Sequence, residues 1–284
     1  MLNALFGLSC GGIIAGTYLI MKLAGAKGGI DVVCISSFII FLIHITIWPK
    51  LTVSAFNDKR TLLRGLAFAL SQVFLLKAQS VAPTSTMLIA SIAGALAGSW
   101  LGKLVLKEHP SWNEVLAIVI AIGGTLLAST GTIEANIWAT IGGLIQGLNS
   151  VVARSLMKNK ISRRGAVGSG LFILGLTMLV VLLINKDANS VMNLKWSGIF
   201  AVGGAVVISQ YAFFQLYKIY STQKATVFTL LRAPWSVALE GIFLGAGVGL
   251  AKVISSVIVF LAALIALYKP RNREPVNNQF HLHN

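Results

Sequence analysis

Charge is scarce in this sequence. Only 11% of its 284 residues are Asp, Glu, Lys or Arg, against 56% hydrophobic residues and a mean hydropathy of +0.83. That balance excludes a water-soluble domain of this length and defines a membrane protein. Cysteine is nearly absent too. Cys10 and Cys34 both fall inside apolar runs, which excludes a disulfide framework and a thiolate metal site. No HExxH, GxSxG, phosphate-binding P-loop or Cys/His cluster occurs, and no nucleophile, base and orienting group converge at a recognisable spacing. An enzyme is therefore not expected, and neither is a metal or cofactor. A membrane-embedded enzyme using Glu240 or His44, and a non-transporting scaffold, stand as competing readings. The first apolar run lacks a basic segment before it and a small-residue cleavage site after it, so it is expected to stay as a helix.

What charge there is carries one sign. Lys and Arg number 23 against 8 Asp and Glu, a net charge of +15. The basic residues sit in short segments between apolar runs rather than in one patch, which argues against nucleic acid and for the cytoplasmic ends of membrane helices.

Apolar runs of about 20 residues, the length that crosses ~30 Å of hydrocarbon, recur along the chain. The expected fold is an all-α integral membrane protein with ten transmembrane helices, at 2–24, 32–49, 62–81, 85–106, 113–130, 136–157, 166–184, 196–219, 225–245 and 248–268. Turn and cap residues fill the joints, including Asn57-Asp58, Pro83-Thr84-Ser85, His109-Pro110-Ser111 and Asp187-Ala188-Asn189. A polar tail follows from 270 to 284. With both termini cytoplasmic, the inner side collects 16 Lys and Arg, Arg64 among them, and the outer side 6, with Arg232 set aside as intramembrane. Lys22 and Lys27 after the first span oppose that orientation locally, and the whole-chain count outweighs them. Trp48, Trp112, Trp138 and Trp196 sit at span ends as interfacial anchors, whereas Trp100 and Trp235 lie deeper and are candidates to line a cavity.

The two halves match each other. Gly7, Gly11, Met21 and Lys22 align with Gly143, Gly147, Met157 and Lys158, and Ser71-Gln72 align with Ser209-Gln210. Gly102 aligns with Gly241, and Gly123-Gly124 with Ala262-Ala263. Residues 1–131 and 132–269 are thus read as two five-helix repeats, and the odd helix number inserts the second upside down relative to the first. Inverted repeats are found in many transporters, with the substrate site between the halves. Small residues four apart at 7–11, 11–16, 94–102, 143–147 and 241–249 predict close helix packing for spans 1, 4, 6 and 9.

Ten spans, inverted repeats and the segment LKEHPSWNEVLAIVIAIGGTLLAS at 106–129 resemble the drug/metabolite transporter superfamily, specifically its EamA-like permeases. Glu108 and Gly123-Gly124 match that family's pattern in the first repeat; the second has Gly247 and alanines in their place. The resemblance implies alternating access around a central cavity and says little about substrate.

The stretch ATVFTLLRAPWSVALEGIFLG at 225–245 is the first place to look for a site, because Arg232 and Glu240 lie inside an apolar run. An ionisable side chain at membrane depth costs at least ~2.5 to 3.5 kcal/mol, so each must face protein or water. Pro234 removes a backbone donor beside Arg232 and can bend or open the helix. Arg232 is expected to hold a carboxylate or phosphate through its planar fork. Glu240 would hold an amine or carry a coupling proton; a structural ion pair is the alternative for both. Tyr18, Gln72, Gln146, Asn149, Gln210 and Tyr211 complete the candidate substrate site with Trp100 and Trp235, and Gln72 and Gln210 recur at equivalent repeat positions. Helix-to-helix hydrogen bonding is the plainer role for each amide. The expected function is a secondary transporter of a small organic solute, an amino acid or related zwitterionic or anionic metabolite, in the bacterial cytoplasmic membrane. An exporter of cationic compounds is the alternative, and a homodimer is left open.

Overall fold

In a computed structural model of the chain, the described residues are 2–24, 29–107, 111–128, 132–159, 161–185, 194–245 and 249–267. Glu108, Gly247, the His109-Pro110 and Asp187-Ala188-Asn189 turns and the tail 270–284 lie outside them. The described residues form twelve helices and no strand: α1 (Leu2–Ala24), α2 (Ile30–Ile47), α3 (Pro49–Phe56), α4 (Lys59–Val81), α5 (Thr84–Leu106), α6 (Trp112–Ala128), α7 (Ile133–Lys158), α8 (Arg163–Ile184), α9 (Trp196–Ile219), α10 (Thr222–Leu230), α11 (Arg232–Leu244) and α12 (Leu250–Leu267). Seven helical stretches are long and apolar enough to cross a membrane: α1, α2, α4, α5, α8, α9 and α10–α11 from Lys224. α6 and α12 hold shorter apolar segments. α7 is 26 residues long and carries Glu134, Gln146, Asn149 and Arg154.

Local chemistry sets the helix ends. The Asp58 carboxylate accepts from the backbone N–H of Arg60 at 2.8 Å and of Thr61 at 3.3 Å, capping α4. Ser111 and Glu114 cap α6 reciprocally: the Ser111 N–H donates to Glu114 Oε2 at 2.9 Å and the Glu114 N–H to Ser111 Oγ at 3.3 Å. Ser221 at the start of α10 donates to Glu114 Oε1 at 3.1 Å, tying the two N-termini together.

Three features depart from the sequence reading. Trp48 leaves the helical region at φ −131°, and Pro49, whose missing N–H is harmless at a first helical position, starts the short surface helix α3. The run 225–245 is two helices separated by Leu231, because Pro234 offers no N–H to the carbonyl of Leu230. Arg64, assigned to the cytoplasmic loops by charge counting, is 0% exposed inside α4.

Glycine lets the central helices cross with their backbones in contact. α5 meets α7 where Gly94 and Gly98 face Gly143 and Gly147; a Cβ on Gly98 would stand 2.6 Å from the Leu144 carbonyl oxygen. α1 meets the α10–α11 break at Gly11, where a Cβ would stand 2.6 Å from the Leu231 carbonyl carbon. Gly245 and Gly249 do not repeat this: Gly245 ends α11 at φ +59°, and a Cβ on either would meet nothing within 4 Å. α4 packs on α7 and α8, α9 on α1 and α2, α2 on α8, and α6 on α12.

Candidate functional site

Where α1, α4, α7 and α9 converge on the α10–α11 break, they enclose a small cavity. α1 contributes Ile14, Thr17, Tyr18 and Met21; α4 contributes Phe68 and Gln72; α7 contributes Gln146. α9 supplies Val206, Ser209, Gln210 and Phe213, and the broken pair supplies Thr229 and Arg232. The helical period explains the convergence: Phe68 and Gln72 are four apart on α4, as are Ile14 and Tyr18 on α1. The enclosed space leaves about 30 Å³ for the centres of water-sized groups. Since one water needs about 10–15 Å³, roughly two fit.

Arg232 is the charged group on this wall. It is 2% exposed, opens α11, and donates from Nη2 to Ser91 Oγ on α5 at 2.8 Å. Its Nε has no partner, and among the described residues no carboxylate lies within 4.0 Å of it. The phenol of Tyr18 interacts with Gln72 and lies within electrostatic reach of Arg232. Gln146 Oε1 and Ser71 Oγ are 2.9 Å apart, and Thr17 donates to the carbonyls of Ile13 and Ala205.

A second buried guanidinium stands directly behind the cavity. Arg64 lies over the rings of Phe68 at 4.9 Å and Phe214 at 4.6 Å, and its Nη2 donates to Gln210 Oε1. Its Nε and Nη1 have no partner, and again no described carboxylate is within ion-pair distance. Cation–π attraction offsets part of the desolvation, about 2 kcal/mol for a desolvated pair. Both cations are thus buried beside one cavity with no acid on its wall. An unpaired buried charge is destabilising by several kcal/mol, so such an arrangement needs a role.

Of the ten residues singled out from sequence, Arg232, Gln72, Gln210, Tyr18 and Gln146 are brought together on the cavity wall. The other five are elsewhere. Trp100 and Trp235 are 46% and 44% exposed and do not belong to the wall of this cavity. Trp235 covers Gly12 on the outer face of α1 and donates from its indole to the Leu8 carbonyl at 3.2 Å. Glu240 is buried on the same face of α11 as Arg232, two turns further on, with Oε1 unpartnered, and does not line the cavity. Asn149 is buried in α7 with neither amide atom partnered, and the Tyr211 hydroxyl is likewise unpartnered. Sequence reasoning missed Arg64. Its signal was present, since Arg64, Phe68 and Gln72 follow one another at four-residue intervals on one face of α4. Among the described residues, no three His, Cys, Asp or Glu side chains cluster as metal ligands would.

No protein-family model and no curated protein matches this chain. Among solved structures, a crystal structure known only as that of a protein, with 16% sequence identity, is similar over 93% of this chain and 96% of its own, with a TM-score of 0.71. At that identity the likeness speaks for the fold alone, and it extends over nearly the full length of both chains.

Proposed function

We propose that this protein is a secondary transporter that carries a small organic anion across a membrane by alternating access. The observation that carries this reading is Arg232: buried on the wall of a central cavity, its Nε unpartnered, with no described acid in reach. A planar fork of charged donors in a buried pocket suits a carboxylate or a phosphate. The same wall disfavours the cationic-compound exporter, because no carboxylate lines it. Glu240 is the one observation on that side, a buried carboxylate with an unpartnered oxygen, and its assigned role is to carry a coupling proton.

The ten-span, inverted-repeat architecture belongs to the same proposal. Exchanging the first five spans for the last five turns the α5–α7 contact into α10–α11 with α1, and α4–α7 into α9–α1. It turns α4–α8 into α9–α2, and maps α6–α12 and α2–α8 onto themselves. Every one of these contacts is present. This pattern agrees with the resemblance to EamA-like permeases and with a site between the halves. A cavity holding roughly two waters must widen to admit a solute. The break at Leu231, next to Arg232, gives the chain a point at which to bend. Without nucleotide-binding motifs the driving force is a gradient or exchange, in a cytoplasmic membrane with both termini inside.

A thermal-shift screen of purified protein against amino acids, nucleotides, sugar phosphates and cationic drugs tests the reading, because a ligand of the folded state raises the melting temperature. Stabilisation by anionic or zwitterionic compounds that disappears in Arg232→Ala is expected. Stabilisation by cationic drugs alone, lost only in Glu240→Gln, would replace this function with drug export.

A further inference from the structure

The cavity has one cation on its wall and a second one side chain behind it, and the second fixes the chemistry of the first. An arginine has donors only, so the Gln210 atom facing Arg64 is its carbonyl oxygen. The amide nitrogen of Gln210 is thereby turned away from Arg64, and Gln210 lines the cavity. Arg64 in this way makes Gln210 a donor toward the same space that Arg232 faces. Phe68, the other side chain between Arg64 and the cavity, stacks on the guanidinium and leaves its charge in place. With Nε and Nη1 of Arg64 and Nε of Arg232 all unpartnered, two positive charges bear on one small volume, and no described acid neutralises either.

Resting on the anion-transport reading above, we propose that the solute is a dianion, a dicarboxylate or a phosphate monoester. Arg232 holds one set of charged oxygens directly, and Arg64 neutralises the second charge through Gln210. A monoanion leaves one buried guanidinium uncompensated; a dianion leaves none. Arg64 is therefore a positioning residue that sets charge selectivity, while Arg232 makes the contact.

The test compares probes matched in size and differing in charge at pH 7.5: succinate against butyrate, and methyl phosphate against dimethyl phosphate. Affinity is read from the melting temperature of the full-length protein in detergent as each probe is titrated. The wild type is expected to bind the dianion of at least one pair about tenfold or more tightly than its monoanion, and the pair that responds tells dicarboxylate from phosphate monoester. Arg64→Gln brings that ratio below about threefold, whereas Arg64→Lys, which keeps the charge, retains most of it. Gln210→Glu gives Arg64 an internal counter-charge and collapses the ratio with Arg64 untouched, which keeps the test open if Arg64→Gln does not fold. Equal binding within both pairs, or a ratio indifferent to both substitutions while Arg232→Ala still abolishes binding, overturns the dianion and leaves the anion reading standing. Binding that survives Arg232→Ala, or no binding of any of the four probes, overturns both.

Discussion

Arg232 can be judged by what its removal does to folding and to binding separately. A guanidinium that locks two helices through an ion pair is missed by the fold; one held uncompensated beside a cavity is not. Since its described contacts amount to one serine hydroxyl and no acid, Arg232→Met is expected to leave stability unchanged or to raise it by about 1 kcal/mol or more. Ligand-induced stabilisation should vanish in the same variant, and a melting temperature well below wild type would return Arg232 to a structural role. Arg232→Lys keeps the charge but loses the planar fork and is expected to weaken anion binding by roughly tenfold or more. The residue itself was readable from sequence because a charge inside an apolar run stands out. Arg64 shares a face of α4 with Phe68 and Gln72, but it lies near the end of its run beside Lys59 and Arg60, where that spacing does not tell a buried cation from an interfacial one. What separates them is tertiary: Phe214 and Gln210, 150 and 146 residues further on, close over it.

At the scale of helices, glycine and caps do different work. Gly147 sits where α7 touches the backbone of α5 near Ala95 and Gly98, so a side chain there must push two helices apart. Gly147→Leu is expected to destabilise by about 1–3 kcal/mol, whereas Gly16→Leu, with no atom within 4 Å of its added Cβ, should fold as the wild type does. Thermal unfolding of the two variants side by side decides it. The four-residue glycine spacing marks the close crossings at Gly11, Gly94, Gly98, Gly143 and Gly147, but Gly16 and Gly249 meet nothing and Gly245 serves a left-handed helix end instead of a crossing. Spacing alone does not say whether a partner helix is there. At the start of α4, Asp58→Ala should cost about 1 kcal/mol through the lost cap. The hydrogen-bonded Arg60 guanidinium, helped by the Arg60 and Thr61 amides, holds the Asp58 carboxyl below its ordinary value. The cap is therefore fully present above the unfolded value of about 3.9 and is lost as pH falls through the lower folded one. The melting difference between Asp58→Ala and wild type should be seen at pH 7 and close only at a pH below the ordinary carboxyl range.

For the molecule as a whole, the number of crossings decides whether two halves can enclose a site symmetrically. The apolar runs anticipated most helices to within a few residues, because twenty-residue hydrophobic stretches have few alternatives in lipid. They did not anticipate α3 or the break at Leu231, where Pro49 and Pro234 override hydropathy. α6, α7 and α12 carry the question. If only the seven long apolar stretches cross, α6 and α7 return the chain to the side it left, and residue 133 lies on the same side as residues 57 and 159. If all ten cross, as the exchange-symmetric contacts support, residue 133 lies on the opposite side, together with residue 83. Cys10 and Cys34 are both buried, so replacing them with alanine frees the chain for single-cysteine labelling. Asn57, Pro83, Ile133 and Asn159 are all exposed, and a cysteine at each can be reached by a membrane-impermeant maleimide. In intact cells, labelling is expected at 83 and 133 and absent at 57 and 159 until the membrane is opened. Protection of 133 together with 57 would remove α6 and α7 from the crossings, leaving at most eight, and remove the inverted repeat. The cavity between α1, α4, α7 and α9 would then need another explanation, since α7, which brings Gln146 to its wall, would no longer span the membrane.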